Sequence, residues 1–68
     1  MKVTLLRREM GWRVYEVVGA RRWTVHHHVP SDRWTIRGQR GGEVDDFSAQ
    51  GRRIVEACEA KFAELEAA

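Results

Sequence analysis

The chain has 68 residues, a net charge of +2, a single cysteine and 43% hydrophobic residues. A chain of this size forms one small domain whose core supplies about 3–5 kcal/mol, with no disulfide framework to add to it. No apolar run reaches the ~18 residues of a membrane span, and a domain this small has little room for a deep catalytic cleft.

The opening Met1-Lys2-Val3-Thr4-Leu5-Leu6-Arg7-Arg8 is broken by charge too early for a signal-peptide core. With the lone Cys58, this gives the expectation of a cytoplasmic protein. Residues 2–8 alternate as a strand with Val3 and Leu5 inward, and Glu9-Met10-Gly11 leads to the next. Tryptophans at 12, 23 and 34 then recur at a spacing of eleven, each opening Trp-x-[Val/Ile]. That spacing suits a strand of about seven residues plus a turn of about four. It predicts strands over 12–18, 23–29 and 33–37, with Gly19-Ala20-Arg21-Arg22 and Pro30-Ser31-Asp32-Arg33 between them. Proline presets φ, and the Asp side chain bonds nearby backbone, so the second separator has turn chemistry.

Period-two alternation assigns faces. Trp12, Val14 and Val18 are expected inward with one awkward member, Glu16. Trp23, Val25, His27 and Val29 are expected on that face too, as are Trp34 and Ile36. The opposite face would carry Arg13, Tyr15, Val17, Thr24, His26, His28, Arg33, Thr35 and Arg37. Gly38-Gln39-Arg40-Gly41-Gly42 reads as a flexible loop, and Glu43 to Phe47 has room for a short edge strand anchored by Val44 and Phe47. Ser48 caps a helix over about 49–66. Ile54, Val55, Cys58, Phe62 and Leu65 fall on one stripe of it, with Glu56, Glu59 and Glu66 opposite. The fold class is therefore α+β: a three- or four-stranded antiparallel β-meander with one C-terminal α-helix packed on one face.

His26-His27-His28 resembles a metal or catalytic motif, but in a strand the middle histidine points away from its neighbours. His26 and His28 alone fall short of the four ligands of a structural zinc site, and Cys58 lies on the other side. We expect no metal and no cofactor. Glu43, Asp45 and Asp46 do not converge as adjacent strand residues, and there is no phosphate loop or nucleophile elbow. No catalytic residue is expected.

The charge is divided. Residues 1–42 carry nine Lys/Arg and three Asp/Glu, and residues 43–68 carry three and seven, so the front part is at +6 and the tail at −4. Ten of the twelve cations are arginine, whose rigid donor fork suits phosphate and carboxylate; GC-rich coding produces the same bias without a functional reason. Arg52-Arg53 sit near the helix start, against the macrodipole. Gln50-Gly51-Arg52-Arg53 is thus either a tolerated pair of surface arginines or an anion site.

The layout of Trp-headed strands followed by a Phe47-Ser48-anchored helix, over residues 12–65, is similar in arrangement to plant AP2-type and phage integrase arm-binding domains. That resemblance implies a sheet face laid on nucleic acid. The Phe47-Ser48-Ala49-Gln50-Gly51 stretch lacks the Thr-x-x-Glu-Ala usual at that helix start, and the chain is assigned to neither family. The sequence leads to a non-enzymatic binding module whose partner is nucleic acid or a nucleic-acid-binding protein complex. The expected contacts are Arg13, Tyr15, His26, His28, Arg33, Thr35, Arg37, Arg40, Arg52 and Arg53. The alternative is an inhibitor of a host complex encoded by a mobile element, similar in type to anti-CRISPR proteins. A homodimer is one route to extra burial.

Overall fold

The computed structural model describes residues 1–67. Its elements are β1 (Lys2–Glu9), β2 (Trp12–Val18), β3 (Arg22–His28), β4 (Arg33–Gly38), β5 (Glu43–Val44) and α1 (Ala49–Ala67). The sheet has five strands in the order β1-β2-β3-β4-β5, every neighbouring pair antiparallel. The α+β meander with one C-terminal helix is as expected, but the strand count exceeds the three or four anticipated. The extra pairing is the two-residue β5, where Val44 lies opposite Ile36 and Glu43 opposite Arg37.

The turns set which side chains share a face. Glu9 pairs with Trp12 across Met10–Gly11, and Gly11 takes a φ of 78° that a side chain would resist. Val18 pairs with Arg22, leaving three residues, Gly19–Arg21, in the next turn. His28 pairs with Arg33, leaving four, Val29–Asp32. Asp32 sits at φ 53°, a left-handed position that Asp tolerates through local side-chain bonding. Its Oδ1 accepts from His27 Nε2–H at 2.8 Å.

The core lies between the sheet and α1. Tyr15, Val17, Val25, Ile36, Ile54 and Cys58 are at most 1% exposed and Trp23 is 7%. Val3, Leu5, Trp34, Val44, Val55 and Phe62 pack around them. Leu65, expected in the helix stripe, is 38% exposed, Phe47, expected as a strand anchor, is 78% exposed, and Val29 has left β3 for the turn and is 38% exposed. Phe47 and Val29 lie beyond the strands they were meant to anchor, and Leu65 is on the last turn of α1.

The start of α1 is closed by local chemistry. Ser48 Oγ accepts the Gly51 N–H at 3.0 Å, while its own O–H donates to the Asp45 carbonyl at 2.6 Å. A Cβ at Gly51 would collide with that carbonyl and with the Asp46 Cα, so only glycine lets the helix approach β5 this closely. At Gln50–Arg53, where an anion site and a tolerated pair of surface arginines are the alternatives, the Gly51 N–H is taken by Ser48 and Gly51 is buried, while Arg52 and Arg53 are exposed. At the far end, Arg8 pairs with Glu66 at 3.5 Å, and the Arg8 and Arg13 guanidinium groups lie 4.9 and 3.5 Å from the Phe62 ring centroid.

Candidate nucleic-acid interface

One face of the sheet has no helix over it. The register orders it in rows. Glu9, Trp12, His28 and Arg33 lie side by side, followed by Arg7, Val14, His26 and Thr35. Next come Thr4, Glu16, Thr24, Arg37 and Glu43, and then Lys2, Val18 and Arg22.

Of the expected contact residues, His26, His28, Arg33, Thr35 and Arg37 stand on this face. Arg13 and Tyr15 do not. Their strand, β2, is turned over relative to expectation: Arg13, Tyr15 and Val17 face the helix, and Trp12, Val14, Glu16 and Val18 face outward. The physical reason is the β2–β3 turn. It holds three residues where the tryptophan repeat implied four, and a shift of one residue in an antiparallel pairing exchanges the two faces of a strand. Arg13 instead stacks on Phe62 and helps hold α1 in place. Arg40 is exposed in the loop before β5, and Arg52 and Arg53 are exposed on α1, across the sheet from His26.

The open face is electrostatically mixed. Its cations are Lys2, Arg7, Arg22, Arg33 and Arg37, and its carboxylates are Glu9, Glu16 and Glu43. All three carboxylates are paired: Arg7–Glu9 at 2.6 Å, Arg22–Glu16 at 4.0 Å and Arg37–Glu43 at 3.5 Å. Exposed pairs of this kind contribute only about 0–1 kcal/mol, so an incoming phosphate can recruit their arginines. Among the described residues, Lys2 and Arg33 pair with no carboxylate.

The centre of the face is apolar and aromatic. Val14 is 2% exposed although nothing from α1 reaches it. Its neighbours on that face are Trp12 and Glu16 along β2 and Arg7 and His26 across it, so their longer side chains roof it. The Trp12 ring centroid lies 4.6 Å from His28 and 6.4 Å from His26, the latter edge-on at 80°. His28 Nδ1 and Ser31 Oγ hydrogen-bond at 2.6 Å, which anchors that imidazole to the β3–β4 turn.

The covered face holds a second polar group. His27 stacks on Trp34 with centroids 3.8 Å apart and planes 8° from parallel, and Trp34 in turn lies 6.3 Å from Tyr15. Because the Asp32 carboxylate can only accept, His27 donates to it from Nε2. The His27 Nδ1 and the Tyr15 Oη are buried without a protein hydrogen-bond partner among the described residues. Burial pushes the Tyr15 phenol above its ordinary 10.0, with Arg13 pulling the other way. It also pushes the Cys58 thiol up to about 12 from 9.0. Both groups are thereby kept protonated, and a buried thiol of this kind packs as a small hydrophobe. Among the described residues no three His, Cys, Asp or Glu side chains converge as a metal site, and no helix is long and apolar enough to cross a membrane.

Sequence reasoning missed Trp12, Arg7, Arg22 and Lys2 as members of the open face. The signal that would have found Trp12 is the parity of the turn after Val18. Comparison with family models, curated proteins and solved structures returns no match for this chain.

Proposed function

We propose that this chain is a non-enzymatic binding module of the cytoplasm that docks its open sheet face on nucleic acid. The observation that carries the reading is the layout of that face. An uncovered sheet presents five cations on β1, β3 and β4, with His26, His28, Thr24 and Thr35 between them. Guanidinium groups and hydroxyls of this kind contact phosphates and base edges. The acidic residues of α1 sit on the opposite side of the sheet, away from an approaching polyanion.

A salt titration of oligonucleotide binding tests it. Each phosphate contacted adds about −0.9 to the log–log slope on a duplex and about −0.7 on a single strand. A measurable affinity that falls steeply with salt is expected. No binding of DNA or RNA at low salt would remove the reading.

A second reading, inhibition of a host protein complex in the manner of a mobile-element product, has its own observation. Asp46, Glu56 and Glu59 pair with no cation among the described residues. With Asp32, Trp34, Phe47, Val55 and Arg52 they line a cleft of about 350 Å³ beside α1, four carboxylates to one guanidinium. An acidic, aromatic-lipped flank suits a basic protein surface, and complementary charge would steer the encounter. Capture of a defined protein complex by the intact chain, abolished by Glu56→Lys with Glu59→Lys, would favour this reading over the first.

A further inference from the structure

We infer that the open face takes single-stranded nucleic acid, with a base stacked on Trp12 and the phosphates held by cations on the flanking strands. This rests on the nucleic-acid reading above and names the form of the ligand.

The argument is the distribution of chemistry across the face. Strand β2, one in from the β1 edge, carries no cation there: the outward residues are Trp12, Val14, Glu16 and Val18. The cations lie to either side, Lys2 and Arg7 on β1, Arg22 on β3, Arg33 and Arg37 on β4. Neighbouring strands are about 4.8 Å apart, so β1 and β4 flank a strip roughly 14 Å wide, in which β2 and β3 present Trp12, Val14, His26 and His28 toward one end and Glu16, Thr24 and Arg22 toward the other. A phosphate placed over the middle would meet Glu16 and Val14. A base placed there would meet the Trp12 ring, His26 and His28.

A duplex shows a protein only the edges of its bases; the faces are stacked away. The side chains suited to reading edges, Arg33 and Arg37, are at the border of the strip rather than in its middle. An unpaired strand shows its base faces, and aromatic rings on a sheet are the usual partners for them. The half-buried Trp12 is already fixed by two imidazoles, at 4.6 and 6.4 Å, so little freedom is lost when a base joins the stack. Thr35, in the row next to Trp12, can hydrogen-bond a base edge there, and Thr4 and Thr24, one row further along, flank Glu16.

The test uses the full chain and three probes of equal length, about twelve nucleotides each: oligo-dT, oligo-rU and a mixed-sequence duplex. One or both single strands should bind at least tenfold more tightly than the duplex. The DNA and RNA arms show whether the 2′-hydroxyl is read. Trp12→Ala should weaken single-strand binding by about 5- to 150-fold, and Trp12→Phe should retain most of it. A readout independent of any variant's folding is the set of three indole N–H resonances of the unmodified chain. On titration with the single strand, the Trp12 signal should move and the Trp23 signal, from under the helix, should not. Duplex binding as tight as single-strand binding, or an unmoved Trp12 resonance at saturation, would overturn this inference and leave the wider reading standing. Failure of all three probes to bind would take both down.

Discussion

The two faces of the sheet differ in what fixes their side chains. Under the helix, Tyr15, Val25 and Ile36 stand abreast in one row and are closed over by Ile54 and Cys58. On the outside, Val14 is as well buried as they are, yet its neighbours are side chains of the same face, Trp12 and Glu16 along β2 and Arg7 and His26 across it. Burial is thus not the same as packing against a second layer. The covered face holds its shape through tertiary contact with α1, while the outer one holds it through neighbours on the same surface, which a ligand can rearrange.

Truncation on each side should expose that contrast. Ile54→Ala removes a fully buried side chain where the two layers meet and is expected to cost about 2–5 kcal/mol. A core this small holds about 3–5 kcal/mol in total, so the variant should be largely unfolded in a denaturant titration followed by circular dichroism. Trp12→Ala, though it removes more atoms, should lose less stability because its ring is half in water. Equal losses would break the contrast.

Alkaline titration sharpens it, because both groups with raised ionisation lie on the covered side. The unfolded chain gives up the Cys58 proton near 9.0, the native one only near 12. Between those values the native state binds more protons than the unfolded one, so stability falls as pH rises, by up to about 1.4 kcal/mol per pH unit. The Tyr15 phenol, raised by burial, adds to the fall above pH 10. Denaturation midpoints measured from pH 8 to 11 should decline, and Cys58→Ala should flatten the first part of the decline. A flat profile in the parent chain would show that the thiol is open to solvent.

The smallest effects separate two arginines that look alike in the sequence. Arg13→Ala removes a guanidinium 3.5 Å from the Phe62 ring centroid and should cost about 0.5–2 kcal/mol of stability, with no change in the salt slope of oligonucleotide binding. Arg33→Ala should leave stability within about 0.5 kcal/mol and shallow that slope by about 0.7 on a single strand. The opposite pattern would put Arg13 back on the outer face.

Much of the architecture was legible in the residues. Trp23-Thr24-Val25-His26-His27-His28 alternates sharply, and Trp34-Thr35-Ile36-Arg37 does so in step with it, so β3 and β4 took the expected faces. The helix start was marked by Ser48. The outward strand residues of β2 were not legible, because both of its faces are apolar: Trp12, Val14 and Val18 compete with Tyr15 and Val17. The tie was broken by the eleven-residue tryptophan repeat, which assumes equal turns. The turns are unequal, three residues against four, and only pairing across strands reveals it. The candidate site was misread for the same reason, gaining Arg13 and Tyr15 and losing Trp12.

The order β1-β2-β3-β4-β5 also governs how the chain reaches its native state. Every strand zips onto the one made just before it, so sheet growth needs only short loop closures, the regime of low contact order and quick folding. The one long closure brings the glutamate-rich end of α1 back to Arg8 and Phe62's two guanidinium partners on β1 and β2. Docking of that last stretch completes a circuit from one end of the molecule to the other, a closure over most of the chain and therefore entropically the costliest of the contacts named here.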